Sequence, residues 1–208
     1  RHPVMDILET IKYALHGHVQ IGFIILAAGA FFATTKLMMW CQQPYYMLLK
    51  VPEAWYGMLM AVGFMLSGMS SHLSHRIDGR ITAPRALASI WVMAIIVCLG
   101  ASFGPGWHGV VLLMFGGSCL FGLAQPRVNE VINNNIDSAR RATVLSTLST
   151  MGSVYFIPLS LLMSAVSKHW GVQAVLVGLA IWLCVAGGAL SLLAISRRKA
   201  AVAAIALA

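Results

Sequence analysis

The chain has 208 residues, of which 59% are hydrophobic and 10% charged, with a formal net charge of +8. A soluble domain carries about 25% charged residues, so this composition excludes an ordinary water-soluble globule and points to lipid as the solvent. The positive charge does not indicate nucleic-acid binding, because it sits in short clusters between apolar runs, the pattern of basic loops in a membrane protein.

Residues 1–18 come first. Val4, Ile7, Leu8, Ile11 and Leu15 recur at helical spacing, with Asp6, Glu9 and Lys12 elsewhere on the wheel. This predicts a short amphipathic helix on the cytoplasmic surface, or a helix that docks a partner. The chain opens on Arg1, with no methionine and no signal-peptide pattern, which suggests a processed or shortened chain.

A helix needs about 20 apolar residues to span the hydrocarbon core. Six segments meet that length within boundary error: 19–46, 54–74, 86–103, 108–125, 142–166 and 171–195. The expected fold is therefore all-α and polytopic, with six transmembrane helices filling residues 19–196 and a cytoplasmic tail at 197–208. Lys36 is the one Asp, Glu, Lys or Arg inside these segments.

The connectors are short and carry turn residues. They comprise Lys50 to Glu53, His75 to Arg85 (with Gly79 and Pro84), the Gly104-Pro105-Gly106 turn, a longer polar stretch at 126–141, and Ser167 to Trp170. Short connectors force neighbouring helices to run antiparallel. Eleven basic residues fall on the side of the termini: Arg1, Lys12, Arg76, Arg80, Arg85, Arg127, Arg140, Arg141, Arg197, Arg198 and Lys199. Only Lys50 and Lys168 fall on the other. The positive-inside rule then places both termini in the cytoplasm, with Trp55, Trp107 and Trp170 at the outer interface.

The layout of amphipathic lead-in, six spans and basic tail resembles the C-terminal half of a major facilitator superfamily transporter. Two motifs add to the resemblance. The stretch SHLSHRIDGR at 71–80 is similar to the family's Gly/Asp/Arg loop motif, with Ser71 in place of the leading glycine and His75 where an acid is expected. Asn129-Glu130, Asn133-Asn134-Asn135 and the run from Arg140 to Ser146 look like a connector and helix start common in bacterial members, many of them drug exporters. The resemblance implies alternating-access movement of a small solute, possible efflux, a bacterial inner-membrane location, and a partner that is either an N-terminal six-helix half or a second copy of this chain. Lipid is the other expected partner, and neither enzymatic activity, cofactor, metal nor nucleic acid is implied.

Candidate pathway residues follow from the first span. Lys36, Trp40 and Gln43 lie at i, i+4 and i+7, on one helical face, and Tyr46 adds a polar tip near Pro44. The resemblance implies that this helix lines the pathway. A lysine in a span either faces a cavity or snorkels to the surface, and both readings stand at this stage. An amide and aromatic face suits a cationic or amphipathic ligand, whereas Lys36 suits an anion.

In the fifth span, Thr143, Thr147 and Thr150 share a face and suit close helix packing, and Tyr155 is placed to reach a cavity. At the cytoplasmic mouth, Arg76, Asp78, Arg80, Glu130, Arg140 and Arg141 are candidates for a gate of ion pairs, against a plain solvated loop. No acid lies deep in a span to couple transport to protons. A competing class, an intramembrane serine protease, rests on Ser102 in a Gly-Ala-Ser-Phe-Gly stretch that superficially resembles a nucleophile elbow. The four cysteines lie in or beside apolar runs with no CxxC pair and are expected to be buried and free.

Overall fold

In lipid a backbone can satisfy its own hydrogen bonds only as helix or closed barrel, and the described residues take the first route. The computed structural model describes residues 19–77 and 82–206. They form five helical stretches: α1 (Val19–Leu48), α2 (Tyr56–Ile77), α3 (Ala83–Ser102), α4 (Trp107–Asn135) and α5 (Ser138–Ala206). The lead-in helix expected at 4–15, and Asp78 and Arg80, lie outside the described residues.

Four of the five helices are long and apolar enough to cross a membrane, so the chain is a multi-pass membrane protein by length and composition. The expected count of six is not met, for two physical reasons. Helix α2 is 22 residues long, but Ser67, Ser70, Ser71, Ser74, His72 and His75 lower its apolar character below that of the other four. The last two expected spans form a single helical stretch, α5, broken only at Gly171.

That break reverses the chain. Gly171 has φ 79° and ψ 178°, a region that only glycine enters at low cost. The rings of Tyr155 and Trp182 are 5.8 Å apart, and the Met163 methyl lies 3.1 Å from where a Cβ on Gly178 would sit. An unbroken helix would separate Tyr155 from Trp182 by about 40 Å at 1.5 Å per residue. Residues 138–170 and 171–206 are therefore two antiparallel limbs, turning at Gly171 itself rather than in a loop at 167–170.

The C-terminal ends of α1 and α3 are tied off by specific hydrogen bonds. Helix α1 closes on Lys50, which takes the left-handed conformation at φ 54°. Lys50 N–H donates to Met47 O (3.1 Å) and Val51 N–H to Tyr46 O (3.0 Å), a Schellman pair followed by Pro52. Helix α3 ends at carbonyls that have no intrahelical partner, and buried Tyr45 of α1 supplies one: its hydroxyl donates to Gly104 O (2.8 Å) and Ala101 O (3.1 Å). Helix α4 widens into a π turn at Leu112–Gly117. Gln42 Nε2 donates to Leu113 O in that turn at 3.3 Å, partnering a carbonyl where the regular ladder is interrupted.

Helix α1 packs mainly on α5, α2 on α4, and α3 on both α4 and α5. The largest core cluster joins α1, α3, α4 and α5 around Met38, Tyr45, Cys98, Leu113, Leu176 and Leu183, and a smaller one joins Ile21, Ile25, Val128, Ile132 and Val144. All four cysteines are free, Cys41 and Cys98 buried and Cys184 exposed. The outer surface is apolar: Phe64, Met65, Met69, Val92, Ile157, Leu161, Ile181 and Leu192 are each more than half exposed. Water would penalise such a surface, while lipid accepts it.

Helices α2 and α4 approach each other closely at Gly122. A Cβ on Gly122 would lie 2.1 Å from Ser67 O, a backbone atom. Beside it, Ser74 Oγ donates to Leu123 O at 3.3 Å, and the buried Arg127 Nη2 donates to Ser74 O at 3.3 Å. Arg127 is thus a tie between helices rather than part of a solvated loop.

A polar groove among α1, α2, α4 and α5

A groove with a volume of about 640 Å³ lies between α1, α2, α4 and the first limb of α5. Its walls combine two chemistries. Phe32 and Trp40 of α1, Phe64 of α2, Phe121 of α4 and Phe156 of α5 supply aromatic surface. Ser67, Ser118, Gln125, Asn129, Ser149 and Ser153 supply hydroxyls and amides, and Lys36 supplies the one formal charge. Among the described residues, no Asp or Glu lines it.

Lys36 is held by geometry. Its Nζ lies 4.5 Å from the centroid of the Phe156 ring, within the range of a cation–π contact. Trp40 meets the same Phe156 ring edge-to-face, with centroids 5.2 Å apart. Along α1, Lys36 sits about 18 Å from Leu48 and about 26 Å from Val19 at 1.5 Å per residue. A charge at that depth costs about 2.5–3.5 kcal/mol on insertion scales, which the groove's polar wall and the Phe156 face offset. Of the two readings of Lys36, the geometry favours the cavity.

The other sequence candidates are placed as follows. Lys36, Trp40 and Gln43 are all exposed on one face of α1, but Gln43 lies beyond the groove lining. Tyr46 is fully buried; its hydroxyl donates to Gln42 Oε1 at 3.3 Å and its ring packs on Tyr56 at 5.2 Å. Tyr155 packs on Trp182, joining the two limbs of α5, and does not line the groove. Thr147 is buried and donates to Thr143 O (2.8 Å), while Thr150 donates to Ser146 O (3.0 Å), the back-bonding expected of hydroxyls inside a helix.

Where α4 passes into α5, Glu130 and Arg140 are exposed, and Arg141 Nη2 donates to Asn133 O at 3.0 Å. Arg76 lies on α2, but its side chain falls outside the described residues. Ser102 Oγ donates to Leu99 O of its own helix at 2.7 Å.

Sequence reasoning missed Ser67, Ser118, Phe121, Gln125, Asn129 and Phe156. The usable signal was the two amides of α4, which stand one turn apart at i and i+4 in an apolar helix.

No family model matches the chain, and neither a curated protein nor a solved structure does.

Proposed function

We propose that the chain forms one half of a secondary transporter that moves a small solute by alternating access, with the groove as its half of the pathway. The observation that carries this reading is a lysine at mid-depth in an apolar helix, facing a groove of hydroxyls and amides shared by four helices. Membrane proteins keep ionisable groups at that depth where they face cavities and pathways. On this reading the resemblance to the second half of a major facilitator transporter supplies six crossings: α1, the more polar α2, α3, α4 and the two limbs of α5. The groove's missing wall is a second bundle, either an N-terminal half or a second copy of the chain. The direction in which Ser102 donates, into its own helix, lends the protease reading nothing.

Plugging the groove tests the reading. In cells that carry the protein with its partner bundle, Ser149→Trp should abolish solute movement and Trp40→Ala should lower it, both at normal membrane levels. Gln43→Ala should leave it unchanged. Normal transport by both Ser149→Trp and Trp40→Ala would remove the groove from the pathway.

Orientation is tested separately. Single cysteines at Lys50 and Lys168 should react with an impermeant maleimide added to intact cells, and those at Arg80 and Arg140 only after lysis. The reverse pattern would invert the topology and break the correspondence with the family.

A further inference from the structure

We infer that the groove selects organic anions with a flat apolar body, the anionic group meeting Lys36 and the body lying along the aromatic wall. This rests on the groove being a ligand site, as proposed above, and names the class of molecule it takes.

Sequence alone leaves two opposite readings, because an aromatic wall suits cations and a lysine suits anions. The geometry separates them. Of the groove's five aromatic rings, Phe156 is the one beside Lys36, and the protein's own ammonium already stands 4.5 Å from its centroid. A second cation there would meet Lys36 at close range, in surroundings that screen charge poorly. Among the described residues, no carboxylate lines the groove to neutralise Lys36 or to receive a cation. An anion meets the reverse situation: one positive charge with no counter-ion among the described lining residues, and hydroxyl and amide donors at Ser149 and Gln125 to complete its shell. The remainder of the wall, with Phe32, Trp40, Phe64 and Phe121, offers ring surface rather than further donors. A small hydrophilic anion would leave that surface unused, whereas an aromatic or otherwise planar body would cover it.

The test uses the full chain in nanodiscs of phosphatidylcholine, with equilibrium dialysis against empty discs to subtract partitioning. The probes are naphthalene-2-sulfonate, 2-naphthol and 2-naphthylmethylammonium, which share a ring system and differ in charge. The sulfonate should bind roughly tenfold or more tightly than the naphthol, the span of a charge-assisted contact, and the ammonium most weakly. Lys36→Gln should bring the sulfonate to the naphthol's affinity, while Lys36→Arg should preserve the preference. Equal binding of the three probes, or sulfonate binding that survives Lys36→Gln, would overturn the inference. So would loss of sulfonate binding when half the lipid is replaced by phosphatidylglycerol, since Lys36 would then belong to a lipid headgroup. Lys36-dependent sulfonate binding without solute movement in proteoliposomes would uphold the ligand class and remove transport. Movement of the naphthyl cation in preference to the sulfonate would uphold transport and remove the ligand class.

Discussion

Gly122→Leu should cost the bundle its fold. A Cβ at that position meets Ser67 O at 2.1 Å, and a backbone oxygen cannot swing aside as a side chain would. Helix α2 would have to move off α4, and the neighbouring bonds from Ser74 to Leu123 O and from Arg127 to Ser74 O would stretch with it. Overpacking alone costs about 1–3 kcal/mol, and each lost hydrogen bond adds about 1 kcal/mol, more where a charged donor is involved. The sum is a large share of a typical folding free energy of about 5–15 kcal/mol. The measurement is thermal unfolding and size-exclusion behaviour in detergent. Gly68→Leu on α2 is the matched control, because nothing lies within 4 Å of its Cβ position. Equal behaviour of the two variants would mean that α2 and α4 do not cross at Gly122.

Gly171→Val should open or destabilise the α5 hairpin. Holding a β-branched residue at φ 79° and ψ 178° costs about 1–3 kcal/mol of backbone strain, and a straight helix through residue 171 relieves it. The two limbs would then part at Tyr155 and Trp182. Spin labels at those two positions, in a background lacking the four native cysteines, should report a short distance in the parent. In Gly171→Val they should report a longer or broadened one, up to about 40 Å for a fully straight helix. A long distance in the parent would refute the hairpin.

These two glycines mark where sequence reading stopped. The all-α membrane class was legible, because apolar runs long enough to span lipid leave few alternatives. The connector at Lys50 to Glu53 was legible from its composition. The last reversal was not read correctly, because it needs no loop: Gly171 turns the chain within one residue, and Ser167 to Trp170 stay helical. The count of crossing helices failed at α2, where Ser67 lines the groove and Ser74 bonds to α4.

For the site, Lys36 and Trp40 were legible, since an ionisable group in an apolar run has few places to go. The groove's other polar residues were not, because they come from three further helices and meet only through packing. Adjacent amides show the limit well. Gln42 is buried and donates to Leu113 O, while Gln43 is exposed. One residue is about 100° of helix, and only the neighbours decide which side faces inward.

The π turn at Leu112–Gly117 acts as a phase shifter in α4. A π turn absorbs about one extra residue without a loop, so the stripes before and after it belong to different helical phases. Deleting a single residue there, without touching any groove side chain, would let α4 run as plain α-helix. Everything beyond would then rotate by about 100° relative to Trp107–Val111. Gln125 and Asn129 would leave the groove, and Gly122 would leave Ser67, with the composition of the helix nearly unchanged. The alignment of the groove with the α2–α4 crossing is therefore a matter of residue number in one turn, and a periodicity plot that treats 107–135 as one uniform helix averages over two registers.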